Sequence, residues 1–267
     1  MHIVHSEIDL SDLRKIQLVS LNALLEIKRI CDKYDIKYSL AYGTLLGAVR
    51  HGGCIPWDED VDVMMPRLEW DKFIHVCKSE LNSKYYLFSY SDIEDRVRVC
   101  CVGVHRFLSG NLGEVIEDNV GVDVYVYDNI TKGSLSKGIN AYLIPLLETI
   151  YNFKIDLYPP RSSLGSILNF LSPIFPQNLV LKFAIWLKTN QKFHDSDYVI
   201  LRIGLGIYGY ERSVFPRTDM IPCESILFEG YEFSCISGYH NYLTRVYGDY
   251  MVPVKRPIST RSIVFDQ

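Results

Sequence analysis

The chain has 267 residues, a formal charge of -4, a sequence pI near 6.0 and 48% apolar residues. That length and apolar share suit one large α/β domain, or a core with a second lobe, and the acidic balance excludes a global pull toward nucleic acid. Residues 1–10 lack the basic flank and apolar run of a signal peptide, no stretch approaches the ~20 apolar residues that span a bilayer, and the seven cysteines form no CxxC pair, so a reduced, cytoplasmic protein is expected.

The first predicted element is a helix over 10–34, with Ile16, Val19, Ala23, Ile27 and Ile30 on one face and Asp9 or Ser11 as its cap. A short strand is expected over 37–42, then a turn that opens a short helix over 43–50, and a loop over 51–57. Residues 60–65 alternate polar and apolar and read as a strand. Pro66 starts a helix to about Leu81, with Trp70, Phe73, Ile74 and Cys77 inward. Strands are expected over 85–90, 96–101, 102–107 and 120–127. Residues 135–157 and 164–190 have helical spacing, broken into segments by Pro145, Pro159, Pro160, Pro173 and Pro176. Short strands around 227–233 and a helix over 238–247 follow, and the tail after them reads as irregular. The pattern is a mixed sheet with flanking helices, an α/β (α+β) class, followed by a helical lobe.

The stretch from Tyr42 to Met65 combines three features that phosphoryl chemistry needs. Asp60 and Asp62 are two apart on a strand and share a face, and Asp58 joins them if the strand starts early. Carboxylates that close repel unless a cation neutralises them, and oxygen ligands suit Mg²⁺ or Mn²⁺. A solvent-facing acidic loop fits less well, because Val61, Val63 and Met64 set the acids in an apolar strand. Gly43-Thr44 lies where a strand meets a helix, a place where amides and the helix dipole favour an anion; alone this is a weak signal. Arg50 either takes a phosphate or pairs with a neighbouring aspartate. His51 is a general base, a phosphate ligand or a helix cap, and with Cys54 it lacks the second ligand pair that zinc requires. Asp123 is the lone charge in the apolar run 120–127, so something must compensate it. A shared metal, a general base or a hydrogen-bonded strand-end aspartate all fit. Asp128 fits a cap for the next segment.

Gly43-Thr44-Leu45-Leu46-Gly47-Ala48, Arg50-His51-Gly52 and Ile55-Pro56-Trp57-Asp58-Glu59-Asp60-Val61-Asp62 closely resemble the signature of LicD-type proteins. That family includes bacterial cholinephosphotransferases and is related to the fukutin-type ribitol-phosphate transferases of animals. Val122-Asp123-Val124-Tyr125, Phe228-Glu229-Gly230 and the block from Tyr242 to Pro253 resemble later parts of the family pattern. The resemblance runs in order over about 38–253, with a weakly matching middle. Glu59 stands where the family often has Asp, Cys54 where it often has a large apolar residue, and Arg96 or Arg98 where it commonly has Lys. Tyr247 to Asp249 also reads as a helix cap with Gly248 left-handed.

The resemblance implies a nucleotidyltransferase-type fold and a metal-dependent phosphotransferase. The expected division is a core at 1–130, a helical insertion at 131–200 and a C-terminal part at 201–267 completing one domain. The implied metal is Mg²⁺ or Mn²⁺ on Asp60, Asp62 and Asp123, with Gly43, Thr44, Arg50, His51, Asp58 and Arg98 against the substrate. The implied donor is a CDP-linked phospho-alcohol, phosphocholine first, and the acceptor a sugar hydroxyl of a cell-surface glycan such as lipopolysaccharide or teichoic acid, free or lipid-linked. CMP would leave, with Asp123 completing the metal site or taking the proton. A nucleotidyltransferase, a metal-dependent glycosyltransferase and a scaffold with a vestigial site are the rivals. Segment 164–190 packs as a lobe or rests on the inner face of a membrane, through Phe170, Ile174, Phe175, Leu179, Leu181 and Trp186 with Lys182, Lys188 and Lys192 near the headgroups.

Overall fold

Helix α1 (Leu10–Tyr34) exists because apolar residues recur at helical spacing: Leu13, Ile16, Ala23, Leu24, Ile27, Ile30 and Cys31 are all buried along one side. Its exposed side carries the pairs Asp12–Lys15 and Lys28–Asp32. Ser11 lies inside this helix rather than capping it, and Asp9 lies outside the described residues. The computed structural model describes residues 10–89, 95–109, 115–154, 176–189, 196–255 and 260–265.

The chain forms two units. The first comprises Met1–Phe88, Val97–Tyr125 and Asp219–Gln267. After α1 come β1 (Ser39–Leu40), α2 (Tyr42–His51), β2 (Val61–Pro66), α3 (Arg67–Glu80), β3 (Tyr85–Ser89), β4 (Arg96–Ser109) and β5 (Val115–Ile130). In the sheet β1 neighbours β2, β2 neighbours β5, β5 neighbours β4, and β4 neighbours the C-terminal strand Thr260–Phe265, so the tail is not irregular throughout as expected; β3 also pairs with β4. The two strands expected over 96–107 are one, and the strand expected over 37–42 is cut short because α2 already begins at Tyr42. β2 is buried along Val61–Met65, which places Asp62 in an apolar strand; Asp60, expected on the same strand, precedes it and is exposed. In α3, Phe73 and Cys77 are the buried residues, while Trp70 and Ile74 are half-buried. The hairpin Pro222–Phe228/Tyr231–Ile236 and the helix Tyr239–Tyr247 complete the unit.

The second unit comprises Ser89–Arg96 and Val126–Thr218. Here Asp128–Ile130 pairs with Tyr198–Ile200, which pairs with Val214–Pro216. Helices Ile144–Lys154 and Gln177–Thr189 pack through Ile150, Tyr151, Val180 and Ala184, with Leu147 and Leu181 against them. Pro145 does not interrupt a helix; it sits in the first turn of Ile144–Lys154, after a π-helical turn at Ile139–Leu143. Asp128 is no cap either, since it is buried against Arg202. Of the expected membrane face, Leu179 and Trp186 are exposed, Leu181 packs inward, and Phe170, Ile174 and Phe175 lie outside the described residues. Lys188 is buried between Asp95 and Glu148, so it does not reach toward headgroups; Lys192 lies outside the described residues. No described helix is long and apolar enough to cross a membrane.

A clamp in the first unit fixes the loop between α2 and β2. Gly52, at φ 69, ends α2 in the left-handed conformation that glycine adopts freely, and its N–H donates to the Ala48 carbonyl. From the hairpin tip, the Glu229 N–H donates to the Gly52 carbonyl at 2.9 Å, while the Glu229 carboxylate accepts from the Cys54 N–H at 2.8 Å. Arg14 of α1 grips that carboxylate with two bonds of 2.9 and 2.6 Å. Gln17 Nε2 donates to the Ile55 and Asp58 carbonyls.

The Arg14 hydrogen bond holds the Glu229 carboxyl down at about 2, below its ordinary 4.5. The stability it contributes is therefore present above pH 4.5 and lost as pH falls toward about 2. Glu229→Ala, which leaves the Cys54 N–H and Arg14 without their acceptor, should destabilise the chain by about 1–3 kcal/mol at pH 7. The gap to wild type in urea melts should narrow as pH drops below 4.5.

Candidate active site

The sequence folds so that α2 and β2 meet as one piece. The Ala41 N–H donates to the Asp62 carbonyl at 3.0 Å, and the Asp62 N–H donates to Thr44 Oγ1 at 2.8 Å. Thr44 is buried, so its hydroxyl serves this link. At the start of α2, Tyr42 sits at φ 41, a strained value for a side-chain-bearing residue. Its N–H donates to Tyr242 Oη at 3.3 Å, and its ring meets Tyr125 edge-on at 5.6 Å. Tyr125 Oη in turn donates to Asp123 Oδ2.

Asp58 fills the place that a Cβ on Gly43 would occupy. Only glycine lets that carboxylate lie against the first turn of α2. Burial, then the nearby charge of Asp60, pushes the Asp58 carboxyl up to about 6. Asp62 is 9% exposed, and among the described residues its carboxylate has no hydrogen-bond or ion-pair partner. Burial raises its pKa well above the usual range, and the charges of Asp123, Asp60 and Asp58 add to that. Asp62 and Asp123 are buried there and Asp58 is half-buried, which is costly for the charged form, while Asp60 beside them is exposed.

Two buried arginines of β4 offset part of the charge. Arg98 grips Asp123 with Nε–Oδ1 and Nη2–Oδ2 bonds of 2.9 Å each, and donates through Nη1 to Asp118 at 2.7 Å. Arg106 Nη2 meets Asp60 Oδ1 at 2.9 Å and Asp118 Oδ2 at 2.9 Å. Burial works against the Arg106 charge, but Asp60 and Asp118 outweigh it and hold the guanidinium above its ordinary pKa. The charge opposite Asp123 is therefore Arg98, which Asp123 and Asp118 already engage on three nitrogens.

A cavity of about 350 Å³ opens beside this cluster. Gly43, Arg50, Asp58 and Asp60 line it, as do Trp57 and Tyr250. Arg50 pairs with no carboxylate among the described residues; its Nη1 donates to the Tyr250 carbonyl at 2.8 Å. Of its two sequence readings, the structure forms no salt bridge to an aspartate. His51 is exposed, edge-on to Trp57 at 6.2 Å, with burial and then the Arg50 charge holding its pKa below the ordinary 6.5. Gly248, at φ 75 and ψ -125, caps the helix Tyr239–Tyr247 through its N–H to Thr244, but outside the left-handed region; Tyr247 and Asp249 beside it line the cavity.

Asp60, Asp62, Asp58 and Asp123 thus come together with Gly43, Thr44 and Arg98, while Arg50 lines the cavity and His51 lies outside its lining, against Trp57 and Arg50. Sequence reasoning missed Arg106 and Asp118. The signal was present: Arg106, like Asp123, is a charge inside an apolar strand and so needs a partner across the sheet. As for a cation, the donor set is oxygen-only. Among the described residues no three His, Cys, Asp or Glu side chains converge as a metal-binding group. One or two carboxylates with phosphate oxygens and water suffice for Mg²⁺, and the unpartnered Asp62 beside Asp60 fits that need.

A family described as "LicD/FKTN/FKRP, nucleotidyltransferase domain" matches residues 35–97, which carry Gly43 through Asp62 of this site. The chain is 29% identical over 264 residues to "Lipopolysaccharide cholinephosphotransferase LicD" of Haemophilus influenzae, covering 90% of this chain and 91% of that protein. An uncharacterized protein of Rickettsia prowazekii is 61% identical over 31 residues, 12% of each chain. One of Rickettsia typhi is 61% identical over 31 residues, 12% of this chain and 10% of its own.

Arg98→Met, which leaves Asp123 buried and uncompensated, should cost about 3–5 kcal/mol. Adding Asp123→Asn should recover part of that loss. Denaturant midpoints of the single and double variants test this; a cost under about 1 kcal/mol would show that the pair is not buried.

Proposed function

Because this chain belongs to the LicD family, we propose that it transfers phosphocholine from CDP-choline to a sugar hydroxyl of lipopolysaccharide or a similar cell-surface glycan. The enzyme class follows the family and its Haemophilus relative. The observation that carries the reading is Asp62: a carboxylate 9% exposed, without a partner among the described residues, beside Asp58, Asp60 and Asp123. Such a group needs a cation, and Mg²⁺ or Mn²⁺ on Asp60 and Asp62 would supply it. When bound, that ion polarises phosphate oxygens and offsets the charge of the leaving nucleotide.

The chain's own residues supply orientation and electrostatics. Thr44 fixes the backbone beneath Asp62, so the carboxylate stays aimed without a side-chain bond of its own. Arg50, free of carboxylates, is placed to hold a donor phosphate at the cavity wall. Asp123, held by Arg98 and Tyr125, either adds to the metal site or accepts the proton of the attacking hydroxyl. Gly43 and Asp58 form the floor where α2 begins, and His51 flanks it through Trp57. Arg98 acts behind Asp123. The exposed Leu179, Phe183 and Trp186 support contact with a membrane surface by the second unit.

With CDP-choline, Mg²⁺ and a glycan acceptor, the purified chain should release CMP in proportion to acceptor. Asp60→Ala and Asp62→Ala should each lower that rate at least about 100-fold, and chelation should abolish it until Mg²⁺ or Mn²⁺ is restored. Transfer of the nucleotide itself to the acceptor would replace this reading with a nucleotidyltransferase.

A further inference from the structure

The hairpin Pro222–Phe228/Tyr231–Ile236 turns through Glu229 and Gly230, since Phe228 pairs directly with Tyr231. Both turn residues have positive φ, 53 for Glu229 and 81 for Gly230. A two-residue turn of that kind favours Asn, Asp or Gly at its first position, because longer side chains are strained there. Glu229 is thus a costly choice for the hairpin itself, and a strained residue persists only where its surroundings hold it.

What holds Glu229 is the loop between α2 and β2. Its N–H meets the Gly52 carbonyl, and its Oε1 accepts from the Cys54 N–H at 2.8 Å and from Arg14 Nη1 at 2.9 Å. Two glycines make room for this contact. A Cβ on Gly53 would stand 2.6 Å from Glu229 Oε1, and a Cβ on Gly47 would strike the Gly53 carbonyl oxygen. Just past Cys54 the chain enters the cavity wall, where Ile55, Trp57 and Asp58 line it. The Asp58 N–H donates to the Ile55 carbonyl at 2.9 Å, in the turn that brings the Asp58 carboxylate against Gly43. That turn starts beside the amide that Glu229 fixes. Asn or Asp at 229 would suit the hairpin, but with one methylene less the side chain would fall short of the Cys54 N–H.

We infer that Glu229 is a positioning residue for the cavity: the hairpin keeps a strained glutamate at its tip so that the carboxylate sets the loop carrying Trp57 and Asp58. Glu229 does not line the cavity and acts through the Cys54 amide. A turn selected for stability alone would carry Asn at this position.

Glu229→Asn and Glu229→Asp separate the two roles, since both suit the turn and neither reaches the loop. Their thermal midpoints should lie above that of Glu229→Ala; midpoints at or below it overturn the strain premise. By hydrogen exchange on the full chain, the amides of residues 53–55, 57 and 58 should exchange about tenfold faster than in wild type, while those of β2 stay protected. At temperatures where every variant is folded, kcat for CMP release from CDP-choline, with Mg²⁺ and a glycan acceptor, should fall about tenfold in both. Glu229→Gln, which keeps an oxygen for the Cys54 N–H, should retain most of that rate. Unchanged exchange at 53–58 in Glu229→Asn, or unchanged CMP release despite faster exchange, overturns the inference. Only the turnover arm rests on the CDP-choline reading. A wild type that releases no CMP overturns that reading, and the exchange arm then decides the inference by itself.

Discussion

Removing several carboxylates from water at one place is the constraint on which the first unit depends. Each such group raises the cost of ionising the next. The chain meets the demand with an alternating row of charge: Asp123, Arg98, Asp118, Arg106, Asp60. Asp118 joins the two guanidiniums, with Nη1 of Arg98 at 2.7 Å and Nη2 of Arg106 at 2.9 Å from one oxygen. Every member of that row has a neighbour of opposite sign. Asp62 stands beside the row and outside it; its burial, then the charges of Asp123, Asp60 and Asp58, push its carboxyl well above the usual range.

The row also explains why the surrounding backbone is fixed so firmly. A carboxylate whose charge is not matched by the protein is useful only if it cannot swing away to water. β2 is buried along Val61–Met65, and Thr44 Oγ1 takes the Asp62 N–H, so the residue has no freedom at its backbone. The strained Tyr42, tied to Tyr242 and stacked edge-on with Tyr125, brings the start of α2 to the same place. On the far side of the loop, Arg14, Gln17 and Glu229 act together on residues 52–58. Helix, strand and loop therefore hold their positions relative to one another, and the cavity wall is set before any ligand arrives.

Local pattern carried much of this. The apolar spacing of 10–34 and the alternation of 60–65 gave α1 and β2 nearly to the residue, because each depends on neighbours three, four or two positions away. The acids of the site were legible for the same reason: Asp62 lies in a short apolar strand with Asp60 just before it, and Asp123 is conspicuous in another apolar strand. Partners were not legible. Arg98 reads in sequence as a phosphate holder, yet its ligands Asp118 and Asp123 are fixed only by how β4 and β5 align. Glu229 meets Arg14 across 215 residues, a distance no periodicity spans. Lys188 reads as a surface lysine on a helix, but Asp95 and Glu148 make its burial affordable. Tyr247 and Asp249 read as a helix end, which they are; only the three-dimensional path of Trp57 turns that helix end into part of a cavity wall.

The two charged groups left unmatched, Asp62 and Arg50, differ in what they can accept. On the proposed reading Asp62, whose backbone is held rigidly, would take a cation; Arg50 donates through Nη1 to the Tyr250 carbonyl and through Nε to His51 Nδ1, and its guanidinium meets no carboxylate among the described residues, so it would take an anion. On that reading, a metal-bound phosphate would satisfy both, with Asp62 among the residues that would hold the ion and Arg50 the one that would hold the phosphate. Neither component alone does so: a free cation leaves Arg50 unmatched, and a free phosphate meets repulsion from Asp58, Asp60 and Asp62. On the proposed reading, the acidic cluster therefore selects against bare anions and admits the donor only as its metal complex. On that reading the ion would arrive before the diphosphate or together with it.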